Sequence, residues 1–470
     1  MKRAYLFLIL LILSANLSAK DSSDLQKRIE SILSTVPSGT RYGVFVYNPV
    51  TRDTIFAKNP TEVITPASNE KLFTTGVALA LMGGDYKLST KLFTDDPDVS
   101  DGEINGNLYL KGYGNSLFTD RDIDSLVYAL RSMGIHNVTG SVIGDDSYFD
   151  DIYHRKDWIL EEMSNYPVPP VSAIVINRNK VEFSLSASAK SGGKVNFSSS
   201  PYCSLIKIRV NARTTSRRSR ISISQHYSDD SYEFVISGGL RRRSHMIWYS
   251  AEIANPPLFA AYLLQDRLIH SGITVMKHPS AGVTPEGAKE LGDRYILLRN
   301  LMKVVNKPSD NFLAECLFKA VGAYYSRSQG NSFYATQAIT NYLNNNEINE
   351  SGLSLVDGSG LSHYNQVTVS AIVQLLNKIY MDNNIYPDYY NSLSIAGVDG
   401  TLRSRMIGTD AENNFHGKTG TLNGVIALSG YLSLKNREDL IVSIIFEFDR
   451  GSAHHYRYLQ DRIIETLVEL

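Results

Sequence analysis

Strand-forming segments lie near both ends of this chain, and helical patterns lie between them. Near the amino terminus, Tyr42–Tyr47 has the alternation of a strand, and Thr54–Lys58 follows it across a turn. Near the carboxyl terminus, strand patterns cover Val425–Leu432 and Leu440–Phe448. Strands at both ends indicate one sheet assembled from the two ends of the chain and covered by helices. The sequence therefore predicts an α+β fold.

Several helices are expected beside these strands. The first should begin at Thr65–Pro66, with Thr65 as N-cap and Pro66 as the first helical residue, and should end at Gly83–Gly84. The others are expected at Arg299–Val305, at Ser309–Tyr325 and in a C-terminal segment with Leu459, Ile463, Ile464, Leu467 and Val468 on one face.

The middle of the chain, residues 90–287, has a different texture. Short alternating runs such as Ile206–Val210 and Ile221–Ser224 are separated by Gly, Ser, Asn and Asp. The 470 residues correspond to about three domains at roughly 150 residues each. We therefore expect an inserted β-rich region over 90–287, made of two small domains, within a discontinuous domain formed by 20–89 and 288–470.

The first 19 residues have the pattern of a signal peptide. Lys2 and Arg3 precede ten apolar residues, and a stretch of small residues ends at Ala19. Ten apolar residues are too few to span a bilayer, which needs about 20. We expect cleavage after Ala19 and a periplasmic or otherwise extracytoplasmic protein that is soluble and at most peripherally associated with the envelope; an uncleaved anchor is the alternative.

Composition restricts the partners and cofactors. The net charge of -1 lacks the basic excess typical of proteins that coat nucleic acid, so no nucleic-acid partner is expected. Cys203 and Cys316 are too few for a disulfide framework; both lie in apolar patterns typical of buried thiols, and whether they pair is open. Because the chain contains no zinc-type spacing and no H-E-x-x-H motif, we expect neither a metal nor another cofactor.

The first of three motifs that carry chemistry is Ser68-Asn69-Glu70-Lys71. Residues i and i+3 share a helix face, so the Lys71 ammonium can reach the Ser68 hydroxyl. A serine nucleophile needs a neighbouring base, and a lysine whose pKa is lowered by burial can be that base. The Ser68 N–H, in the first helical turn, can face a developing oxyanion. The other S-x-x-K segments, Ser191–Lys194 and Ser204–Lys207, lie in a loop and on a strand.

The other two motifs are Ser309-Asp310-Asn311 and Lys418-Thr419-Gly420. In the second motif, the Ser309 hydroxyl can relay a proton and the Asn311 amide can hold a carbonyl group, although helix capping is the simpler role for Ser309. In the third motif, Lys418 and Thr419 can bind a carboxylate, and Gly420 permits close approach of a substrate backbone. The Thr421 N–H can complete an oxyanion hole.

Other catalytic patterns are missing from the sequence. A phosphate-binding loop ending at Lys418 requires Gly at position 412, where this chain has Glu412. No G-x-S-x-G nucleophile elbow is present.

The order S-x-x-K, S-x-N and K-T-G resembles that of penicillin-binding proteins and serine β-lactamases. The distance from Ser68 to Ser309 exceeds what a compact β-lactamase allows and resembles that of class C low-molecular-mass penicillin-binding proteins, the S13 family of D-alanyl-D-alanine carboxypeptidase/endopeptidases. Three further segments are similar to this family: Pro66–Asn69, Val356–Ser362 and His416–Thr421. Glu70 departs from it, because an apolar residue is expected there.

The resemblance implies a transpeptidase-like α+β fold and a set of roles. Ser68 would attack the carbonyl between two D-alanine-type residues of a peptidoglycan stem peptide, and Lys71 would be the general base. Ser309 would pass a proton to the leaving amine, and Asn311 would bind the acyl-side amide. The terminal carboxylate would be bound at Lys418 and Thr419, and β-lactam antibiotics would acylate Ser68.

Two alternatives remain open at this point. Class A β-lactamases add a glutamate in an E-x-x-L-N loop, and no such loop lies between Ser309 and Lys418. A catalytically silent cell-wall binding protein would be expected to lack the nucleophile or its lysine, yet Ser68 and Lys71 are both present. A DD-peptidase that trims terminal D-alanine is therefore the preferred interpretation, with cleavage of cross-links as a possible second activity.

Overall fold

A computed structural model of the chain describes residues 24–158, 167–228, 231–349, 351–435 and 438–470. The proposed signal peptide and its cleavage site lie outside these residues. Within the described ranges, no helix is long and apolar enough to cross a membrane.

The two ends of the chain form one antiparallel sheet, as the sequence predicts. Arg41–Asn48 pairs with Asp439–Glu447 at its centre, so that Val44 lies opposite Ile444. Across the described part of the chain, this central sheet has six strands in the order Ser394–Ile395, Phe415–Leu422, Val425–Ser433, Asp439–Glu447, Arg41–Asn48 and Asp53–Lys58. The predicted limits of the four strands near the chain ends agree with these to within about two residues.

Strand alternation gives the central sheet two apolar faces. On the strand Asp439–Glu447, Ile441 and Ile445 join one core while Val442 and Ile444 join the other. The second core is covered by residues 24–33 and the helix Ala453–Leu467. The first core is covered by a helical layer, whose members are Glu70–Met82, Leu298–Asn306, Asn311–Ser326, Ser332–Asn345, Val369–Tyr380 and Tyr386–Ser392.

The middle region of the chain begins and ends on neighbouring strands, because Lys87–Thr94 pairs antiparallel with Lys289–Leu297. These two strands lie in a five-stranded sheet with Leu108–Tyr113, Val142–Asp145 and Ser280–Ala281. The other strands of this region are Glu103–Ile104, Asn137–Val138, Lys180–Ser186, Asn196–Ser200, Ile206–Val210, Arg213–Thr215, Arg220–Ser228, Ser231–Arg241, Ile247–Glu252 and Thr274–Val275.

The alternating runs of the middle region are therefore strands, as predicted, but the region also contains helices that the sequence analysis missed. Asp120–Ser132 and Pro256–His270 both bury apolar faces in a separate core. The division of this region into two domains, with limits at 90 and 287, stays a prediction. Cys203 and Cys316 are buried and free rather than bridged.

Candidate active site

The first motif lies in a tight turn that leads into a helix. Ala67–Asn69 is a 3-10 turn, and the α-helix proper is Glu70–Met82. The expected N-cap at Thr65 is wrong, because Pro66 is the capping residue and Ala67 has a left-handed φ of 48°. The loop at Gly360 packs tightly against this turn, because a Cβ atom on Gly360 would lie 1.9 Å from the Ala67 carbonyl oxygen.

The turn brings Ser68 and Lys71 together as the i, i+3 spacing predicts. Lys71 Nζ donates to Ser68 Oγ at 3.0 Å. It also donates to Asn311 Oδ1 at 2.7 Å and to the Ser359 carbonyl at 2.5 Å. Lys71 is fully buried, whereas Ser68 is half-buried and faces a cavity. The three acceptors hold the lysine side chain in one position against the serine.

The pKa of Lys71 is lowered to about 8. Burial is the main cause, since desolvation disfavours the ammonium form. Negative charge on Asp357, then on Glu315 and Asp310, limits the decrease. A lysine with a pKa near 8 is partly neutral at neutral pH and can accept a proton from Ser68.

The departure at Glu70 leaves a buried acid beside this lysine. Glu70 is completely buried, and neither of its carboxyl oxygens has a hydrogen-bond partner among the described residues. Burial raises the pKa of Glu70 well above its usual range. A neutral carboxylic acid is the form consistent with these surroundings.

In the second motif, the Ser309 hydroxyl does not cap the following helix. Asp310, not Ser309, is the N-cap of the helix Asn311–Ser326, and its side chain accepts from the Leu313 N–H at 3.0 Å. Ser309 has a left-handed φ of 62°, and its Oγ accepts a 2.7 Å hydrogen bond from Lys418 Nζ. The simpler capping role considered for Ser309 is therefore wrong.

The third motif lies on the strand Phe415–Leu422, next to an open edge. In the described structure, the neighbouring strand Ser394–Ile395 pairs only with Gly417 and His416. From Lys418 onward, Phe415–Leu422 therefore has no strand partner on that side. Thr419 and Thr421 line the cavity, whereas Lys418 is completely buried and is absent from its lining. Burial, and then the charge on Lys71, lowers the pKa of Lys418 well below its usual range.

Gly420 is required for packing within the protein. A Cβ atom at this position would lie 2.9 Å from the Pro66 carbonyl oxygen and 3.1 Å from Ala67 Cβ. The glycine thus lets the strand approach the turn that carries Ser68, so that Ser68 and Thr421 line the same cavity.

Two buried carboxylates organise a loop that the sequence analysis quoted without assigning a role. Asp357 accepts from Gly360 N–H, Ser362 N–H, Trp158 Nε1 and Asn365 Nδ2, at distances of 2.7–3.0 Å. Glu315 Oε1 accepts from the N–H groups of Gly358 and Ser359, at 3.0 and 2.8 Å. The loop in turn presents the Ser359 carbonyl to Lys71. Asp357 therefore stabilises a tight turn, whereas Glu315 was missed because its position in an apolar helix carries no motif.

His416, which precedes the third motif, has a structural role. It is largely buried, and its ring stacks on Tyr390 with 3.9 Å between centroids. Burial lowers its pKa.

The three motifs meet in one cavity of about 900 Å³. It is bounded by the Ser68 turn, the Ser309–Asn311 loop and the open edge of the strand Phe415–Leu422. The site contains two serine hydroxyls, each contacted by a buried lysine, and it lies between a helical layer and an antiparallel sheet. This arrangement defines the penicillin-binding class of acyl-serine enzymes.

Comparisons with known proteins agree with this class. The chain is 27% identical to the D-alanyl-D-alanine carboxypeptidase of Actinomadura sp. (strain R39), over 97% of this chain and 86% of that protein. It is 25% identical to D-alanyl-D-alanine carboxypeptidase DacB of Haemophilus influenzae, over 86% of this chain and 85% of that one. The crystal structure of penicillin binding protein 4 from Haemophilus influenzae shares the fold, with a TM-score of 0.76, 24% identity and coverage of 94% and 98%.

The model of the D-Ala-D-Ala carboxypeptidase 3 (S13) family matches residues 25–466, which is nearly the whole chain. The chain belongs to this family, and its enzyme class is that of a serine-type D-Ala-D-Ala carboxypeptidase.

Proposed function

We propose that this protein hydrolyses the D-Ala-D-Ala ends of peptidoglycan stem peptides through an acyl-enzyme on Ser68. The observation that carries the proposal is the 3.0 Å contact between Lys71 Nζ and Ser68 Oγ, with that lysine buried and its pKa near 8. A neutral Lys71 takes the proton of Ser68 as Oγ bonds to the carbonyl carbon. The N–H groups of Ser68 and Thr421 stabilise the oxyanion.

Release of the first product uses the second serine. The C–N bond breaks, and the leaving nitrogen takes a proton from the Ser309 hydroxyl, which Lys418 replenishes from its ammonium group. The 2.7 Å contact between Lys418 Nζ and Ser309 Oγ supports this relay. Asn311 Oδ1 is engaged by Lys71, which leaves its Nδ2 to donate to the acyl-side carbonyl.

Deacylation returns both lysines to their starting forms. Water adds its oxygen to the acyl carbon and returns a proton to Lys418 through Ser309. The ester bond breaks, and Ser68 recovers its proton from the Lys71 ammonium. The Thr419 hydroxyl, which donates to Thr401 Oγ1 at 2.8 Å in this structure, turns to donate to the substrate carboxylate, while Lys418, behind it, adds positive potential without reaching the cavity.

β-Lactam antibiotics are proposed as inhibitors that acylate Ser68, because their ring presents a strained amide and a carboxylate to the same groups. A complex of the Haemophilus influenzae protein with a β-lactam supports this proposal. Cleavage of D-Ala cross-links is a second candidate activity, favoured by the size of the cavity, about 900 Å³. An extracytoplasmic location follows from the amino-terminal pattern at Lys2–Ala19.

The first experiment is intact-protein mass spectrometry after incubation with benzylpenicillin, with Ser68→Ala as the control. One stable penicilloyl adduct on the wild type alone supports acylation of Ser68 and slow deacylation. Rapid loss of the antibiotic without an adduct indicates a β-lactamase. Neither an adduct nor turnover indicates a silent binding protein.

A further inference from the structure

The cavity extends beyond the groups that the proposed mechanism uses. Past Thr421 it continues into a region that we call the arginine lobe, formed by the segment after the 3-10 turn Gly400–Leu402 and by the start of the helix Ala453–Leu467. The residues of this lobe are Arg403, Ser404, Arg405, His454, Arg457, Tyr458 and Asp461.

The arginines of the lobe are not equivalent. Arg405 is neutralised by Asp461, whose Oδ1 lies 2.7 Å from Nη2 and 2.9 Å from Nε. Arg457 is half-buried, and its Nη2 donates a 3.3 Å hydrogen bond to Thr421 Oγ1. Neither Arg457 nor the exposed Arg403 has a carboxylate partner among the residues that the structure describes.

A DD-carboxypeptidase must bind the free carboxylate at the end of its substrate, and the cation expected from the sequence does not reach it. Lys418 is completely buried, and its ammonium donates to Ser309 Oγ and to the Thr419 carbonyl at 2.7 and 2.8 Å. A carboxylate in the cavity therefore meets the Thr419 hydroxyl but no ammonium group. A direct charge-assisted hydrogen bond requires another cation in the cavity wall.

Arg457 has the required position. Side chains alternate along a strand, so Thr419 and Thr421 project from the same face, and both line the cavity. Arg457 contacts the second of these threonines from the lobe side. A guanidinium group is suited to this task because its paired N–H groups match the two oxygens of a carboxylate.

We propose that Arg457 binds the C-terminal carboxylate of the stem peptide, together with the hydroxyls of Thr419 and Thr421. The inference rests on the proposed function. It assigns to the helix Ala453–Leu467, which the sequence motifs do not touch, the recognition of a free chain end.

The test compares two peptides that share an N-acylated L-Lys-D-Ala-D-Ala sequence and end in a free carboxylate or in a carboxamide. The variants are Arg457→Gln and, as matched control, Arg403→Gln, which removes one positive charge from the same lobe. Arg457→Gln should lower kcat/KM for the acid by about tenfold to a hundredfold, the usual value of one charge-assisted hydrogen bond, and should change kcat/KM for the amide much less. Arg403→Gln should keep both values within about twofold.

A second substrate pair avoids dependence on slow amide turnover. The methyl ester of benzylpenicillin carries a neutral ester in place of the carboxylate, and both rates of acylation are measurable by mass spectrometry. Arg457→Gln should slow acylation by the acid and leave the ester rate nearly unchanged, while Arg457→Lys should restore part of the rate with the acid.

Several results would overturn the inference. Equal losses on the acid and the amide would show a structural role for Arg457, and equal losses in the two variants would show a general field effect rather than contact. A wild type that hydrolyses the acid with no preference over the amide contradicts the carboxylate contact but leaves the DD-peptidase proposal standing. A wild type that acts on neither peptide and is not acylated by penicillin contradicts the proposed function itself.

Discussion

The site contains two serine–lysine pairs that look alike in chemistry but are built differently. Ser68 and Lys71 are three positions apart on one helical turn, whereas Ser309 and Lys418 come together from a loop and a strand 109 positions apart. Both lysines are completely buried and both donate to a serine hydroxyl. The difference lies in the charges that surround each ammonium group.

Carboxylates surround Lys71 but not Lys418. Burial lowers the pKa of Lys71 only to about 8, because Asp357 and Glu315 oppose it. Burial and the repulsion of Lys71 lower the pKa of Lys418 together. Repulsion between the two ammonium groups disfavours the doubly charged state, and the carboxylates favour the charge on Lys71. The proposed roles therefore rest on which serine each lysine contacts: Lys71 acts as base because it contacts the nucleophile Ser68, and it does so in its neutral form.

The largest expected effect follows from removing the proposed general base, Lys71. Lys71→Met should slow acylation by benzylpenicillin about 10²–10⁴-fold, the usual contribution of a general base. Lys418→Met should slow it by about tenfold to a hundredfold, because it removes one charge-assisted hydrogen bond to Ser309. Stopped-flow or mass-spectrometric acylation rates distinguish the two. An equal loss in both variants would contradict the division of roles.

The pH dependence of acylation tests the state of Lys71 directly. The neutral form is the base, so the rate should rise with pH and level off above about 8. Below that value it should fall about tenfold per pH unit, because the neutral fraction of Lys71 falls by that factor. The measurement is the second-order acylation rate between pH 5.5 and 9.5. A flat profile would exclude Lys71 as the titrating base.

A smaller change should follow when one of the carboxylates near Lys71 is neutralised. Glu315→Gln keeps an acceptor for the N–H groups of Gly358 and Ser359 but removes a carboxyl group whose negative charge raises the pKa of Lys71. Burial, and then the charge on Asp357, raises the pKa of Glu315 itself to about 7, so this charge acts on Lys71 above that pH. The midpoint of the acylation profile should therefore move to lower pH, with the plateau rate largely kept. An unchanged or higher midpoint would show that Glu315 does not act on Lys71 electrostatically.

A second substitution at Glu315 separates the effect of its charge from the effect of its hydrogen bonds to the loop. Glu315→Leu leaves two buried N–H groups without an acceptor, which should cost about 1–3 kcal/mol for each donor in the free energy of unfolding. Denaturant unfolding of the wild type and of both variants measures this cost. Comparable stabilities for Gln and Leu at this position would contradict the role of Glu315 in holding the loop that presents the Ser359 carbonyl.

The smallest expected effect concerns the approach of strand and turn. Gly420→Ala should lower the free energy of unfolding by about 1–3 kcal/mol, because the added methyl group crowds Pro66 and Ala67. Gly39→Ala is a useful comparison, since its φ of 90° imposes backbone strain but a Cβ atom there meets nothing within 4 Å. Because Gly420 has no such φ, a loss of stability in Gly420→Ala reports crowding, and a variant as stable as the wild type would contradict it.

The sequence by itself determined the elements with a local or periodic signal. Period-two alternation identified the strands of the central sheet, and the i, i+3 spacing joined Ser68 to Lys71 without any tertiary information. The order of the three motifs is by itself enough to identify the family. These features are predictable because they depend on neighbours in the chain.

Only the tertiary structure decided which distant groups meet and how deeply they are buried. It placed Lys418 behind Ser309 instead of in the cavity, and it made Asp310 the helix cap. It also brought Glu315 against the loop whose Ser359 carbonyl contacts Lys71, and Arg457 against Thr421. No motif predicts these contacts, because desolvation and electrostatic coupling depend on distance in space, and spacing along the chain sets that distance only within one element.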